Sequence, residues 1–363
     1  MRVAIIGSGI AGISLAYFLA RSGIDVVVFE KRYPLYGASG RSSGGITLQF
    51  DKPEFVDLAK ESLKIYDRVQ SEVGFNFLYR HDGYIKVARN REDLEKLEKE
   101  VRVAKTKGVK AKIIEPEDVK EFVPDFNPDA IEGASYSEGG VIFPWPVIWG
   151  FAKGCKEMGV EIKKMSEVSE IIIEKGFVKG VKVNGEVYKA DYVVNAAGAW
   201  SNEVSSLAGV GLDNRIIKEE VCVSESLKPY LDPYILDVST GVYLSQSVRG
   251  EIVGGILGSE VEKPETSSTF EFLTKYAKRA SELIPKLKGL TILRQWAGVY
   301  DVAKDEIPVV GLTSVSGFIQ FNGLGKFGMC IAPALAKELA ILIIRGENRK
   351  IEKFSPLRLK IHH

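Results

Sequence analysis

Residues 1–31 read MRVAIIGSGIAGISLAYFLARSGIDVVVFEK, and this stretch decides the fold. A β-branched run at 2–6 meets glycines at once, after which Ile10, Leu15, Phe18 and Leu19 repeat with helical spacing until Gly23. Residues 25–30, DVVVFE, form a second buried strand. Strand, helix and strand in this order require a right-handed crossover and a parallel sheet. Gly7, Gly9 and Gly12 form G-x-G-x-x-G between the first strand and the helix that Ile10 and Ala11 open. Glycines there permit a tight turn, close backbone approach to a pyrophosphate and close helix packing. The helix N-terminus then faces negative phosphates. Glu30, with Lys31 beside it, ends the second strand about 20 residues on, where an acid accepts hydrogen bonds from ribose hydroxyls.

A second glycine cluster separates a flavin dinucleotide from a nicotinamide one. Residues 37–45, GASGRSSGG, place Ala38, Ser39, Gly40, Arg41, Ser42, Gly44 and Gly45, with Ile46 following, where a flavin's pyrophosphate and ring would run. An NAD site has no need of that loop. Residues 195–200, NAAGAW, put the small turn Ala196, Ala197, Gly198 and then Trp200 after a short strand, so that the sheet end can approach a cofactor. Residues 322–328, NGLGKFG, contribute Gly323, Leu324, Gly325, Lys326, Phe327 and Gly328. They lead into the last helix, whose N-terminus can meet a partly negative flavin oxygen. Val168 and Gly298 complete the candidate cofactor-binding residues.

The chain has 363 residues, 45% hydrophobic and 27% charged, a size and composition expected of two folded domains. Lys and Arg number 49 against 48 Asp and Glu, a net charge of +1, so nothing supplies the surplus that a nucleic-acid backbone attracts. Three cysteines without CxxC spacing argue against a disulfide framework or a zinc cage, and three histidines against a rich metal site. His362 and His363, at the very end, read as an added tag. No signal peptide is recognised, and the apolar stretch 334–344 carries Lys337 and Glu338 and falls short of the roughly 18 residues of a membrane span. The expected location is a reducing cytoplasm, peripheral to a membrane only through an electron acceptor. Five glutamines among many Lys and Glu point to a thermophilic source.

Elsewhere, Asp51 as cap with Pro53 and Glu54 predicts a helix to about residue 72. Further helices are expected over 91–107, 146–159 and 329–344. Strands are expected at 160–163, 168–174, 177–183 and 192–195, with alternating runs at 216–223, 242–248 and 251–255 that suggest an antiparallel sheet. The fold class is α/β: a Rossmann-type FAD-binding domain (1–76, 143–208 and 291–363) interleaved with an α+β substrate domain (77–142 and 209–290) built on the antiparallel sheet.

Residues GSGIAG (7–12), ASGRSSGGI (38–46), AAGAW (196–200), RQWAGVYD (294–301) and IPVVG (307–311) resemble the D-amino acid oxidase family of FAD-dependent enzymes, which includes glycine oxidase, sarcosine oxidase and dye-linked proline dehydrogenases. The resemblance covers nearly the whole chain and is greatest to the β-type subunits of the sarcosine and proline enzymes. It implies oxidation of the carbon beside an amine, with hydride passing to flavin N5 and the imine hydrolysing in water. Two departures stand out. Tyr300 follows the WAG segment where relatives carry a carboxylate-binding arginine, and Thr47 stands where a GIRxQF pattern has its arginine. Lys326 is the candidate replacement anchor for the substrate carboxylate, with Tyr300, Tyr243 and Gln49 as further candidate catalytic residues and Arg294 a weaker one. Cys330 does not match the cysteine through which some relatives attach flavin, so noncovalent FAD is expected. The partners expected are a small amino or imino acid and an electron acceptor (dye, quinone, partner flavoprotein or oxygen). The alternative reading is an FAD-carrying subunit of a hetero-oligomeric dehydrogenase.

Overall fold

The computed structural model describes residues 1–359, so His362 and His363 lie outside them. The opening strand Arg2–Ile6 is central in a six-stranded sheet ordered Val309–Leu312, Phe318–Asn322, Tyr192–Asn195, Arg2–Ile6, Asp25–Phe29, Glu161–Lys163. All pairs are parallel except the edge strand Val309–Leu312. Both faces are covered, which is why these strands are continuous apolar runs rather than alternating ones. On one face Val3 and Ile5 pack with helices Ile10–Arg21, Pro53–Val73, Pro144–Glu157 and Gly328–Arg345. On the other, Ala4, Ile6, Val27 and Phe29 pack against the three-stranded meander Val168–Glu174, Phe177–Val183 and Glu186–Lys189.

Two local details position the site. A Cβ on Gly7 (φ +106°) would lie 2.3 Å from the Ala196 carbonyl oxygen, and one on Gly12 would lie 2.0 Å from that of Gly7. Helix Gly328–Arg345 is long and apolar enough to cross a membrane, yet most of it is buried, Leu335 and Leu339 completely. Pro333 inside this helix has no N–H for the Met329 carbonyl, and the Tyr66 hydroxyl donates to that oxygen instead at 2.6 Å.

The second sheet has eight strands, ordered Ile292–Val302, Arg215–Ser226, Glu251–Val261, Val242–Gln246, Tyr234–Asp237, Tyr84–Ala88, Gly133–Ser137, Ala111–Ile114. It is antiparallel except where Tyr234–Asp237 meets Tyr84–Ala88. Helix Phe270–Leu283, with Phe272, Tyr276 and Leu283, covers one face. The other face presents Tyr84, Val221, Tyr234, Leu236 and Tyr243.

Several expectations need correction. Residues 292–302, expected in the FAD-binding domain, pair along their length with Arg215–Ser226 and so extend the second sheet. Lys52, not Asp51, precedes helix Pro53–Val73, without a side-chain cap, because Pro53 takes the first helical position and has no N–H to satisfy. Helix Phe270–Leu283 and the strands at 84–88, 111–114 and 133–137 have no counterpart among the sequence-based expectations.

Candidate active site

The C-terminal ends of the parallel strands open onto a cavity of about 550 Å³ that runs from the first glycine turn to the second sheet. Gly7, Gly9, Ile10 and Ala11 form one wall. Gly9 offers no side chain to cap its helix, and Ser39 Oγ accepts the Ile10 N–H at 2.9 Å. Glu30 borders the same cavity, with Oε2 accepting from Ser8 N–H (3.0 Å) and Ser8 Oγ (2.7 Å), and Oε1 from Arg32 N–H (3.0 Å). Lys31 also borders it but is engaged with Glu167 at 2.7 Å. Ala38, Val168, Ala196, Ala197, Gly198, Trp200, Leu324, Gly325 and Gly328 complete the expected lining that the structure brings together here.

A smaller pocket of about 110 Å³ adjoins it, sharing Ile10, Ala38, Ser39, Tyr300, Gly325 and Gly328. Arg41, Ser42, Gly45, Thr47, Gly298, Lys326 and Phe327 border it on one side. Arg41 is spent on backbone, its Nε to the Tyr36 carbonyl (2.7 Å) and Nη1 to that of Ala297 (3.0 Å), which ties the loop to the second sheet. The opposite wall is the tyrosine face of that sheet. Tyr84 and Tyr234 stack with ring centroids 4.7 Å apart, Tyr234 and Tyr243 at 5.9 Å.

Five expected cofactor residues do not line either space. Gly12 and Gly40 allow close packing, since Cβ atoms there would lie 2.0 Å from carbonyl oxygens of Gly7 and Leu35. Gly44 (φ +78°) packs against the Ile142 carbonyl, Ile46 is fully buried, and Gly323 donates its N–H to Asp301 Oδ2 at 2.8 Å. These residues shape the wall from behind. Gln49 is also corrected: it is fully buried, and its amide is spent on Glu100 (3.0 Å) and Ser135 (2.9 Å) behind the pocket. Arg294 lies on the exposed edge strand with its guanidinium 5.9 Å from the Trp296 ring centroid, away from the pocket.

Lys326, Tyr300 and Tyr243 do meet at the pocket, joined by a residue that sequence reasoning missed, Glu219. Tyr300 Oη donates to Glu219 Oε2 at 3.1 Å. Burial pushes the Glu219 carboxyl above its ordinary value, against the opposing pull of the Tyr243 and Tyr300 hydroxyls and the Lys326 ammonium. Burial likewise lowers the Lys326 ammonium, with Lys86 adding to the effect and Glu219 opposing it. The side chain of Lys326 remains accessible from the pocket although protein surrounds it. Among the described residues neither Lys326 nor Glu219 forms a salt bridge. A signal for Glu219 was present: in 216–223 strand alternation puts it on one face between Ile217 and Val221, a charge on an apolar face.

Asp301 was missed as well. It is buried at the cavity wall, its carboxyl raised by burial, and it accepts from Asn214 Nδ2 at 2.8 Å. From Asn214 a buried chain of amides runs through Asn322 to Gln320 and on to Asn195, fixing the ends of two parallel strands.

A helix N-terminus whose own cap residue carries no side chain, an acid at the far end of a long cavity and a second glycine loop at the near end fit the phosphates, ribose and ring of a flavin dinucleotide. Together with a tyrosine-walled pocket beyond the loop, they define a flavin-dependent oxidoreductase. More specifically, the chain belongs to the DAO family, described as FAD dependent oxidoreductase, which residues 2–342 match, and its cofactor is FAD. It is 26% identical over 99% of its length to 88% of the sarcosine oxidase subunit beta of Rhodobacter capsulatus. It is 28% identical over 94% of its length to 43% of the mitochondrial dimethylglycine dehydrogenase of Rattus norvegicus. Among solved structures it is similar to L-proline dehydrogenase from P. horikoshii, with a TM-score of 0.92 and 31% identity over 98% of this chain and 97% of that one. Glycine oxidase from Geobacillus kaustophilus shares the fold at a TM-score of 0.90 and 20% identity, each chain covered in full (100%).

Proposed function

We propose that this chain oxidises the C–N bond of a small amino or imino acid, of the proline, sarcosine or glycine type, to the imine, with FAD as the hydride acceptor at N5. One observation carries this reading. The pocket beside the flavin loop holds one ammonium and one carboxylate, Lys326 and Glu219, and neither has a salt-bridge partner among the described residues. A zwitterionic amino acid supplies both missing partners. Lys326 draws the substrate carboxylate, taking the place of the arginines absent at Thr47 and Tyr300. Tyr300 and Tyr243 provide hydroxyls on the same wall. With both ends of a small substrate held, its α-hydrogen is presented by position alone, and no acid–base triad is required. The likeness to an L-proline dehydrogenase over nearly all of both chains supports the substrate class. FAD binds noncovalently in this reading: Cys330, against the Gly45 carbonyl at 3.7 Å, is a buried thiol pushed up to about 11 by burial and is a poor nucleophile.

Anaerobic titration of the yellow protein with L-proline, D-proline, sarcosine and glycine tests the proposal. Bleaching of the visible flavin band by one of them is expected. Retention of the band with all four would sink it.

A second reading, a flavin subunit that passes electrons to partner chains, is favoured by an exposed aromatic patch. Phe143, Trp145 and Trp149 lie open at the start of helix Pro144–Glu157, and Trp145 Nε1 donates to the Gly40 carbonyl of the flavin loop at 2.7 Å. Exposed aromatic clusters of this kind mark interfaces. Turnover of the isolated chain with an artificial dye but not with oxygen, and a larger gel-filtration mass when isolated from its source, are expected of a subunit.

A further inference from the structure

Glu219 stands at a distortion that the second sheet makes for it. Its strand pairs Lys218 with Ser259 and Glu220 with Ile256, so Leu257 and Gly258 together stand opposite the single residue Glu219. Such a bulge re-aims the side chain beside it. A Cβ on Gly258 would fall 2.3 Å from the Lys218 carbonyl oxygen, so the bulge tolerates only glycine. On the other side Glu219 pairs with Gly298, which has no side chain to cover it. Bulge and glycine leave a carboxylate facing the pocket from a strand whose neighbours on that face are apolar.

The carboxylate is under-partnered for its surroundings. Tyr300 supplies one hydrogen bond of good geometry, to Oε2. Tyr243, 1% exposed on the same pocket wall, turns its hydroxyl toward the carboxylate without closing a hydrogen bond of good geometry, as does the Gly258 N–H. An ion held this way is costly unless a cation joins it. The groups that face it from the adjoining elements are Tyr84, Tyr234, Tyr243 and Tyr300, whose phenols burial raises and so keeps neutral, and Lys326 on the flavin-side turn.

We propose that Glu219 receives the substrate's amine, holding its ammonium and accepting one of its protons, so that the free amine is the species oxidised. This rests on the reading that the site oxidises an amino acid. The proton passes from the substrate nitrogen to the Glu219 carboxylate and leaves the nitrogen lone pair free. That pair would then be available to form the C=N bond when a bound flavin took up the α-hydrogen with its electron pair. A carboxyl raised by burial is a better match for an amine proton than an exposed one.

The test is the anaerobic rate of flavin bleaching against pH for the wild type, Glu219→Gln and Glu219→Asp, with FAD content measured for each. Glu219→Gln is expected to be about 100-fold slower near neutral pH, the gap closing as pH rises to where the substrate amine loses its proton unaided. Glu219→Asp is expected to recover part of the rate. A second arm uses two probes that each carry one end of the substrate, pyrrolidine and tetrahydrofuran-2-carboxylate, titrated by their rapid perturbation of the oxidised flavin spectrum, before any bleaching. Glu219→Gln should weaken pyrrolidine by about tenfold, the share of one charge-assisted hydrogen bond, and leave the carboxylate within about twofold. A gap independent of pH, or equal weakening of both probes, overturns the proposal. If no amino acid bleaches the wild type, the function proposed above fails, and the pyrrolidine comparison still decides the role of Glu219.

Discussion

The nucleotide cavity and the substrate pocket that adjoins it are built by opposite means. At the nucleotide end, contiguous residues do the work: Gly7, Gly9 and Gly12 sit on one turn, and their neighbours leave no room for a Cβ at two of the three. At the substrate end, Glu219, Tyr243, Tyr300 and Lys326 come from three strands and a turn, and meet through sheet register. Backbone sterics are unforgiving at the first end. At the second, side-chain chemistry sets which small molecule is held.

The largest effect should therefore follow a change to the first end. Gly12→Ala puts a methyl group 2.0 Å from a carbonyl oxygen that no rotamer can move. A loss of about 3 kcal/mol or more is expected, with little FAD retained, as read by thermal melting and flavin absorbance. A yellow variant that melts with the wild type would break the contrast. Next comes Lys326→Met, expected to raise KM for carboxylate-bearing substrates about 10–100-fold and to spare simple amines. Equal effects on both would move the carboxylate anchor elsewhere. The sign of its pH dependence is set by burial: because the folded Lys326 pKa is lowered, carboxylate affinity should fall at a pH below that at which an ordinary lysine deprotonates. The smallest effect belongs to Glu30→Ala, about tenfold in the dissociation constant of FAD, measured by equilibrium dialysis. An unchanged constant would remove the ribose contact and leave Glu30 as a brace for Ser8.

The same contrast explains what was legible beforehand. Strands 168–174, 177–183 and 192–195 and the glycine turns declare themselves because each is a local pattern. The eight-stranded sheet is harder, since Tyr84–Ala88 pairs with Tyr234–Asp237 across about 150 residues and nothing local announces the match. From sequence Gln49 reads as a site residue, because polarity near a flavin motif is ambiguous. Only burial and its bonds to Glu100 and Ser135 show that it braces a wall. For Glu219 the charge on an apolar strand face is legible, but the bulge that aims it at the pocket arises from two strands at once and has no signature in either.

Strand order also carries a consequence for synthesis. Arg2–Ile6 finds Asp25–Phe29 at once, but its other neighbour is Tyr192–Asn195, and the strand beyond that is Phe318–Asn322. During translation Arg2–Ile6 keeps one edge unpaired until Tyr192–Asn195 has been made, past the middle of these residues, and the outer edge of Tyr192–Asn195 then waits for Phe318–Asn322. Such long-range closure makes folding slow and exposes an apolar edge to other chains meanwhile. Yield of active protein should accordingly respond to chaperone supply and growth temperature, and any truncation before Asn322 should deprive the central sheet of a strand it cannot replace.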